Sequence, residues 1–159
     1  MNGQETIYLS RSSFILQKIY FLISGPCHRS HLSDRTLDPD HYMMFSSRQK
    51  WRKIGYTFDI DVPKHDSEMH GPRWLRFLGK LPDNQIEDRS CGVEFPAWIQ
   101  VGGHPTPEDG IVDRTICFGK NCANPTKIKV AACTVNDESY FVYKLERTID
   151  SDSGYCYMP

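Results

Sequence analysis

The sequence predicts an all-β domain: a small antiparallel sheet with irregular loops and disulfide support, preceded by an N-terminal extension. Three observations carry this expectation. Residues 91–145 read CGVEFPAWIQVGGHPTPEDGIVDRTICFGKNCANPTKIKVAACTVNDESYFVYKL, in which strand-like runs alternate with turns rich in Gly, Pro and Asn. Five of the six cysteines lie at or beyond Cys91, which locates the part of the chain that staples would hold. In the densest stretch Cys91, Cys117, Cys122 and Cys133 are even in number and unequally spaced, and the Cys-x-x-Cys pair of common zinc and redox sites does not occur.

From the N-terminus, residues 14–25 (FILQKIYFLISG) form a short apolar segment behind Arg11. Three readings stand: a degraded signal segment over 11–25, a helix with Phe14, Ile15, Ile19, Leu22 and Ile23 on one side, or a spurious first exon. The segment is too short, and with Gln17 and Lys18 too polar, to span a membrane. Residues 24–50 read as loop with one or two short elements. KIGYTFDIDV (53–62) alternates Ile54, Tyr56, Phe58 and Ile60 with other residues and predicts a half-buried strand ending before Pro63. Residues 74–79 (WLRFLG) begin a second strand. In EFPAWIQV (94–101) Pro96 has no N–H to donate, so this strand belongs at an edge, a bulge or an irregular start.

GGHPTPEDG (102–110) is a turn, because its glycines and prolines cannot support a helix. IVDRTICF (111–118) alternates in part and KIKVAACTV (127–135) alternates well. SYFVYKLER (139–147) sets Tyr140, Val142 and Lys144 opposite Phe141, Tyr143 and Leu145. The ending from Thr148 reads as polar and mobile apart from Cys156. Charged residues make up 25% of the chain but balance to a net charge of -1, so no global field draws in nucleic acid or anionic lipid.

The succession Cys91-Gly92, Pro96-Ala97-Trp98, Gly103-His104-Pro105, Asp109-Gly110-Ile111-Val112, Arg114, Cys117, Cys122, Ile128-Lys129-Val130-x-x-Cys133 and Tyr140-Phe141-Val142-Tyr143-x-Leu145 resembles the eight-cysteine domain of the uromodulin, glycoprotein 2 and oncoprotein-induced transcript 3 family. Trp74-Leu75-Arg76-Phe77-x-Gly79, Leu81-Pro82, and Leu37-Asp38-Pro39 with Tyr42 and Trp51-Arg52 extend the likeness, so that it covers residues 37–147. Asp40, His65, Gln85 and Ala123 stand where the family pattern has cysteine. An even loss of that kind would delete two disulfides and leave Cys91, Cys117, Cys122 and Cys133 to form two bonds, in any of three pairings. Cys27 and Cys156 lie outside the matched core, and are left to pair with each other, bridge to another chain or stay free.

The resemblance divides the chain into an N-terminal extension (1–36), a cysteine-rich domain (37–147) and a polar tail (148–159). It implies an extracellular or secreted, non-enzymatic recognition or spacer module that binds a protein or a glycan, with no cofactor, no nucleic acid and no membrane span. The residues it marks as structural are Trp74, Trp98, Gly103, His104, Pro105, Asp109, Gly110 and Tyr143. It brings no catalytic residue. Glycan display is not carried over, since Asn124 precedes Pro125 and no other Asn has the acceptor pattern.

Direct reading of the residues leaves one competing chemistry. Cys117, Cys122, Cys133 and His104 are of the types that hold structural zinc, and an intracellular domain built on them is the alternative function. His104, near Asp109 in the Gly-rich turn, is otherwise part of a backbone path set by Gly102, Gly103 and Pro105. Trp74, Trp98, Tyr140, Phe141 and Tyr143 lie on strand candidates, where aromatic residues fill a core more often than they build a ligand platform.

Overall fold

The computed structural model describes residues 27–29, 41–46 and 48–159. Their strands are β1 (His28–Arg29), β2 (His41–Met44), β3 (Arg73–Arg76), β4 (Phe95–Val101), β5 (Ile111–Phe118), β6 (Ala123–Val135), β7 (Glu138–Leu145) and β8 (Ser153–Gly154). They follow one another across a single sheet as β1-β2-β3-β7-β6-β5-β4-β8. Among the described residues the helical pieces are short 3₁₀ turns at Lys50–Arg52 and Pro107–Asp109, and no helix is long and apolar enough to cross a membrane. The domain is all-β, as predicted. The three readings of residues 11–25 lie outside the described residues.

The sheet grows from one tight hairpin. Asn136 and Asp137 both take positive φ (50° and 65°), the conformation whose twist suits a two-residue antiparallel turn. Val135 therefore meets Glu138, and the ladder runs back to Lys129 opposite Lys144. β5 pairs antiparallel with β6, and β4 with β5 through an irregularity between Ile99 and Val101. Among the described residues, the strand beyond β4 is the two-residue β8, in parallel register with Pro96 opposite Gly154. The proline thus occupies the near-edge position that its missing donor requires.

Alternation along β7 divides its side chains between two cores. Tyr143 and Leu145 join Leu75, Phe77, Ile99, Ile116, Ile128 and Val130 on one face, while Tyr140 and Val142 join Tyr42, Trp74, Ala131 and Cys133 on the other. Completely burying one large aliphatic side chain stabilises by roughly 1.5–3 kcal/mol, so these two layers hold the sheet irrespective of the loops.

Three expectations are corrected. Residues 53–62 do not form a strand. Ile54 packs beside Cys91, Val93 and Cys156, but Gly55 then takes φ 89° and turns the chain outward, where Tyr56, Ile60 and Val62 are exposed. The alternation is present, but among the described residues no strand lies beside it.

The ending from Thr148 is not a loose tail: Thr148 and Ser153 to Tyr157 are buried. Tyr157 N–H donates to the Arg52 carbonyl at 2.7 Å, and Lys80 and Met158 exchange backbone bonds of 2.8 and 2.9 Å. Approach is so close that a Cβ on Gly79 would collide with the Met158 carbonyl oxygen. Polarity misled here because the Thr148 hydroxyl bonds to the Asp150 and Ser153 carbonyls and the Tyr155 hydroxyl to the Glu146 carbonyl, so these polar groups are satisfied inside the protein rather than by water.

The third correction concerns the cysteines. Cys91, Cys117, Cys122 and Cys133 do not pair only among themselves. The disulfides are Cys27–Cys133, Cys91–Cys156 and Cys117–Cys122, and no cysteine is free. They close separations of 106, 65 and 5 residues. In the chain-entropy account such loops contribute about 5 kcal/mol, about 4 kcal/mol and about 2 kcal/mol, so the two long ties matter most.

Candidate functional site

Six of the residues that sequence analysis marked, Gly103, His104, Pro105, Asp109, Gly110 and Tyr143, gather around the turn between β4 and β5. Gly102 and Gly103 take positive φ (90° and 56°), which folds the chain back and sets His104 against the sheet. The Gly103 carbonyl accepts from Arg114 Nε at 2.7 Å. Pro105 is buried, and Asp109 Oδ2 accepts from Thr106 N–H and its hydroxyl at 2.8 and 3.0 Å, which closes the 3₁₀ turn. Those bonds, the backbone one first, hold the Asp109 carboxyl below its usual range. Gly110, with φ 66°, then starts β5.

His104 is the centre of a polar relay. Its side chain is 7% exposed, and its ring lies 4.3 Å from that of Phe141. Nδ1 is 3.3 Å from Asp83 Oδ2 and Nε2 is 2.9 Å from the Tyr143 hydroxyl, which also accepts from Leu81 N–H at 3.1 Å. Burial pushes the His104 pKa below its ordinary 6.5, against the pull of Asp83. Burial works to raise Asp83, but the hydrogen bonds from Lys80 and His104 outweigh it and hold this carboxyl below its usual range. Burial also raises Tyr143 well above the ordinary phenol range.

These directions select one proton arrangement. A neutral His104 donates from Nδ1 to the Asp83 carboxylate and receives at Nε2 from Tyr143, whose oxygen receives from Leu81. The order Asp, His, hydroxyl has the outline of a nucleophile relay, but the phenol oxygen is already an acceptor and Tyr143 is fully buried. Chemically the arrangement is a peg: it fastens the 102–110 turn to β7 and to the Leu81-Pro82 segment.

The other marked residues do not join it. Trp74 is buried in the second core on β3. Trp98, on β4, is 8% exposed and donates from Nε1 to the Gly119 carbonyl at 2.9 Å. The aromatic residues of the strands therefore serve packing.

The zinc alternative is overturned. The sulfurs of Cys117, Cys122 and Cys133 are spent in disulfides and both His104 nitrogens face protein partners, so the proposed set has no free thiolate to offer. Among the described residues no cluster of three or more His, Cys, Asp or Glu could hold a metal ion.

A second polar centre escaped sequence analysis. Arg52, 3% exposed, reaches both carboxylate oxygens of Asp66, 4% exposed, at 2.7 and 2.6 Å. Arg52 also donates to the Tyr155 carbonyl at 2.9 Å, and Tyr155 N–H returns a 2.8 Å bond to Asp66. The guanidinium lies over the rings of Phe45 and Trp51, at 3.9 and 4.0 Å from their centroids. Arg52 and Asp66 are 14 positions apart, on either side of the alternating run 53–62, whose period says nothing of their meeting; the signal available was Trp51-Arg52 within the family likeness.

Residues 76–157 match the family of uromodulin-like eight-cysteine domains. The pancreatic secretory granule membrane major glycoprotein GP2 of Rattus norvegicus is 36% identical over 105 residues, covering 62% of this chain and 20% of the relative. The glycoprotein of the same name from Canis lupus familiaris is 35% identical over 164 residues, 98% of this chain and 30% of the relative. Uromodulin of Rattus norvegicus is 33% identical over 116 residues, 69% of this chain and 17% of the relative. The chain thus spans less than a third of the length of these curated relatives.

Proposed function

The chain belongs to the uromodulin-like eight-cysteine family, and from that premise we propose that it is a non-enzymatic recognition or spacer module that binds a protein or a glycan through its loops. Its three disulfides and its family make it an extracellular or secreted domain. The observation that supports the non-enzymatic reading best is the closed relay of Asp83, His104 and Tyr143, in which the group placed as a nucleophile is buried and already hydrogen-bonded. Its partners are structural, and its work is to hold a turn.

In this reading the ties carry mechanical purpose. Cys27–Cys133 fastens the start of the described chain to the sheet, and Cys91–Cys156 fastens the end. A surface held in one geometry before binding loses less entropy when it binds.

The test uses the secreted, oxidised protein as a labelled tetramer on glycan arrays and extracellular-protein arrays. Saturable binding that disappears on reduction is expected. No binding on any array would contradict the recognition reading. Hydrolysis of ester, peptide or glycoside substrates, lost in a folded His104→Phe variant, would contradict the non-enzymatic one.

A further inference from the structure

The alternating run that predicts a strand but finds no partner in the sheet has a use of its own. We propose that the Tyr56–Val62 loop is a docking site for an extended segment of a partner protein that carries basic side chains. The inference rests on the recognition reading above and names the chemistry of what is recognised.

Three features converge there. Tyr56 is 44%, Ile60 70% and Val62 53% exposed, a concentration of large apolar surface within seven residues of one loop. From Thr57 to Val62 no backbone group hydrogen-bonds to the backbone of another described residue, and the local contact is Asp61 N–H to Asp59 Oδ1 at 3.0 Å. Main-chain groups without a protein partner, set beside exposed apolar side chains, can be taken up by an incoming extended segment, in which main-chain bonds supply affinity and side chains supply choice. The loop itself, from Gly55 to Ile60, lines a wide, shallow concavity open to solvent.

Charge selects the occupant. Asp59 and Asp61 are exposed and make no ion pair with any described residue. A second copy of the same loop would bring four carboxylates together, which opposes self-pairing, whereas lysine or arginine on an incoming segment would complement them.

The base of the loop is rigid enough to hold it out. Gly55 N–H bonds to the Ser90 carbonyl at 2.8 Å and Lys64 N–H to the Gly92 carbonyl at 2.9 Å. Both anchor points flank Cys91, which is tied to Cys156. Arg89 adds a contact over the Phe58 ring at 5.2 Å.

The experiment measures fluorescence anisotropy of two short labelled peptides, one alternating valine and lysine and one alternating valine and glutamate, against the oxidised full chain. Saturable binding of the lysine peptide alone is expected. Asp59→Asn with Asp61→Asn should weaken it roughly fivefold, the scale of exposed charge pairs. Ile60→Asp should weaken it by roughly tenfold or more, from lost apolar contact. Each variant should keep the parent melting temperature, because these side chains point to solvent.

Equal binding of both peptides, binding unchanged by Ile60→Asp, or no binding of the lysine peptide would overturn the proposal. So would self-association in sedimentation that Ile60→Asp abolishes, since the occupant would then be a second copy. If the peptides fail while the arrays still register a ligand, only this site is lost; if both fail, the recognition reading falls with it.

Discussion

The β5–β6–β7 sheet and the clasp that joins residues 48–54 and Asp66 to residues 148–158 each have a buried centre, yet they are held by different physics. In the sheet an antiparallel ladder, shifted once between Ile116 and Phe118, carries alternating side chains into two apolar cores. The clasp has almost no ladder: it depends on a buried ion pair, a disulfide and a few backbone bonds between distant loops. Many small, redundant contacts tolerate the loss of one, whereas a few strong ones do not. Single substitutions should therefore damage the clasp more than the sheet.

The largest effect is expected at the ion pair. Arg52→Ala leaves Asp66 charged and buried without its partner, which costs about 3–5 kcal/mol. Urea unfolding should show that loss, whereas Lys129→Ala, which removes an exposed ion pair with Asp113 on the sheet, should leave stability nearly unchanged. Comparable losses at the two positions would erase the contrast. Next comes the tie. Replacing Cys91 and Cys156 together by alanine should cost about 4 kcal/mol in the chain-entropy account, against about 2 kcal/mol for the short Cys117–Cys122 loop.

A smaller effect belongs to the peg between the two regions. His104→Phe removes bonds to Asp83 and Tyr143 and should cost about 1–3 kcal/mol, the penalty of leaving buried partners unsatisfied. Its pH dependence has a definite sign. Burial depresses the pKa of folded His104 below 6.5, so the unfolded chain binds the proton more readily. The contribution is complete above the unfolded value and fades as pH falls from about 6.5 through the lower folded value. Melting temperature should drop on acidification from about pH 7 to about pH 5 in the parent, and that part of the drop should vanish in the variant. A steeper drop in the variant would assign the effect to other groups.

The same division explains what could be read in the residues. Residues 111–118, 127–135 and 139–147 announced β5, β6 and β7 because a period of two is what a half-buried sheet imposes on a sequence. Pro96 announced an edge, a bulge or an irregular start for a reason equally local, its missing N–H. Nothing local announces that Arg52 meets Asp66, or that Cys91 meets Cys156 across 65 positions, since these pairings are decided by where the loops pass after the sheet has formed. Residues 53–62 carried the right period but lacked a neighbour, which is a property of the whole fold.

His104 and Tyr143 were legible as members of the family pattern, but Asp83, in a polar connection without periodicity, was not. Geometry was needed to join them. It also converted the turn from a backbone path into a peg with a proton arrangement of its own.

The account depends most on how the six cysteines are joined, because the clasp and the extracellular setting both follow from it. The direct measurement is disulfide mapping by mass spectrometry of the secreted protein, digested without reduction after free thiols have been blocked. The account predicts peptides linked through Cys27–Cys133, Cys91–Cys156 and Cys117–Cys122, with no blocked thiol. Blocked thiols at Cys117, Cys122 or Cys133, or Cys91 joined to any residue but Cys156, would contradict it.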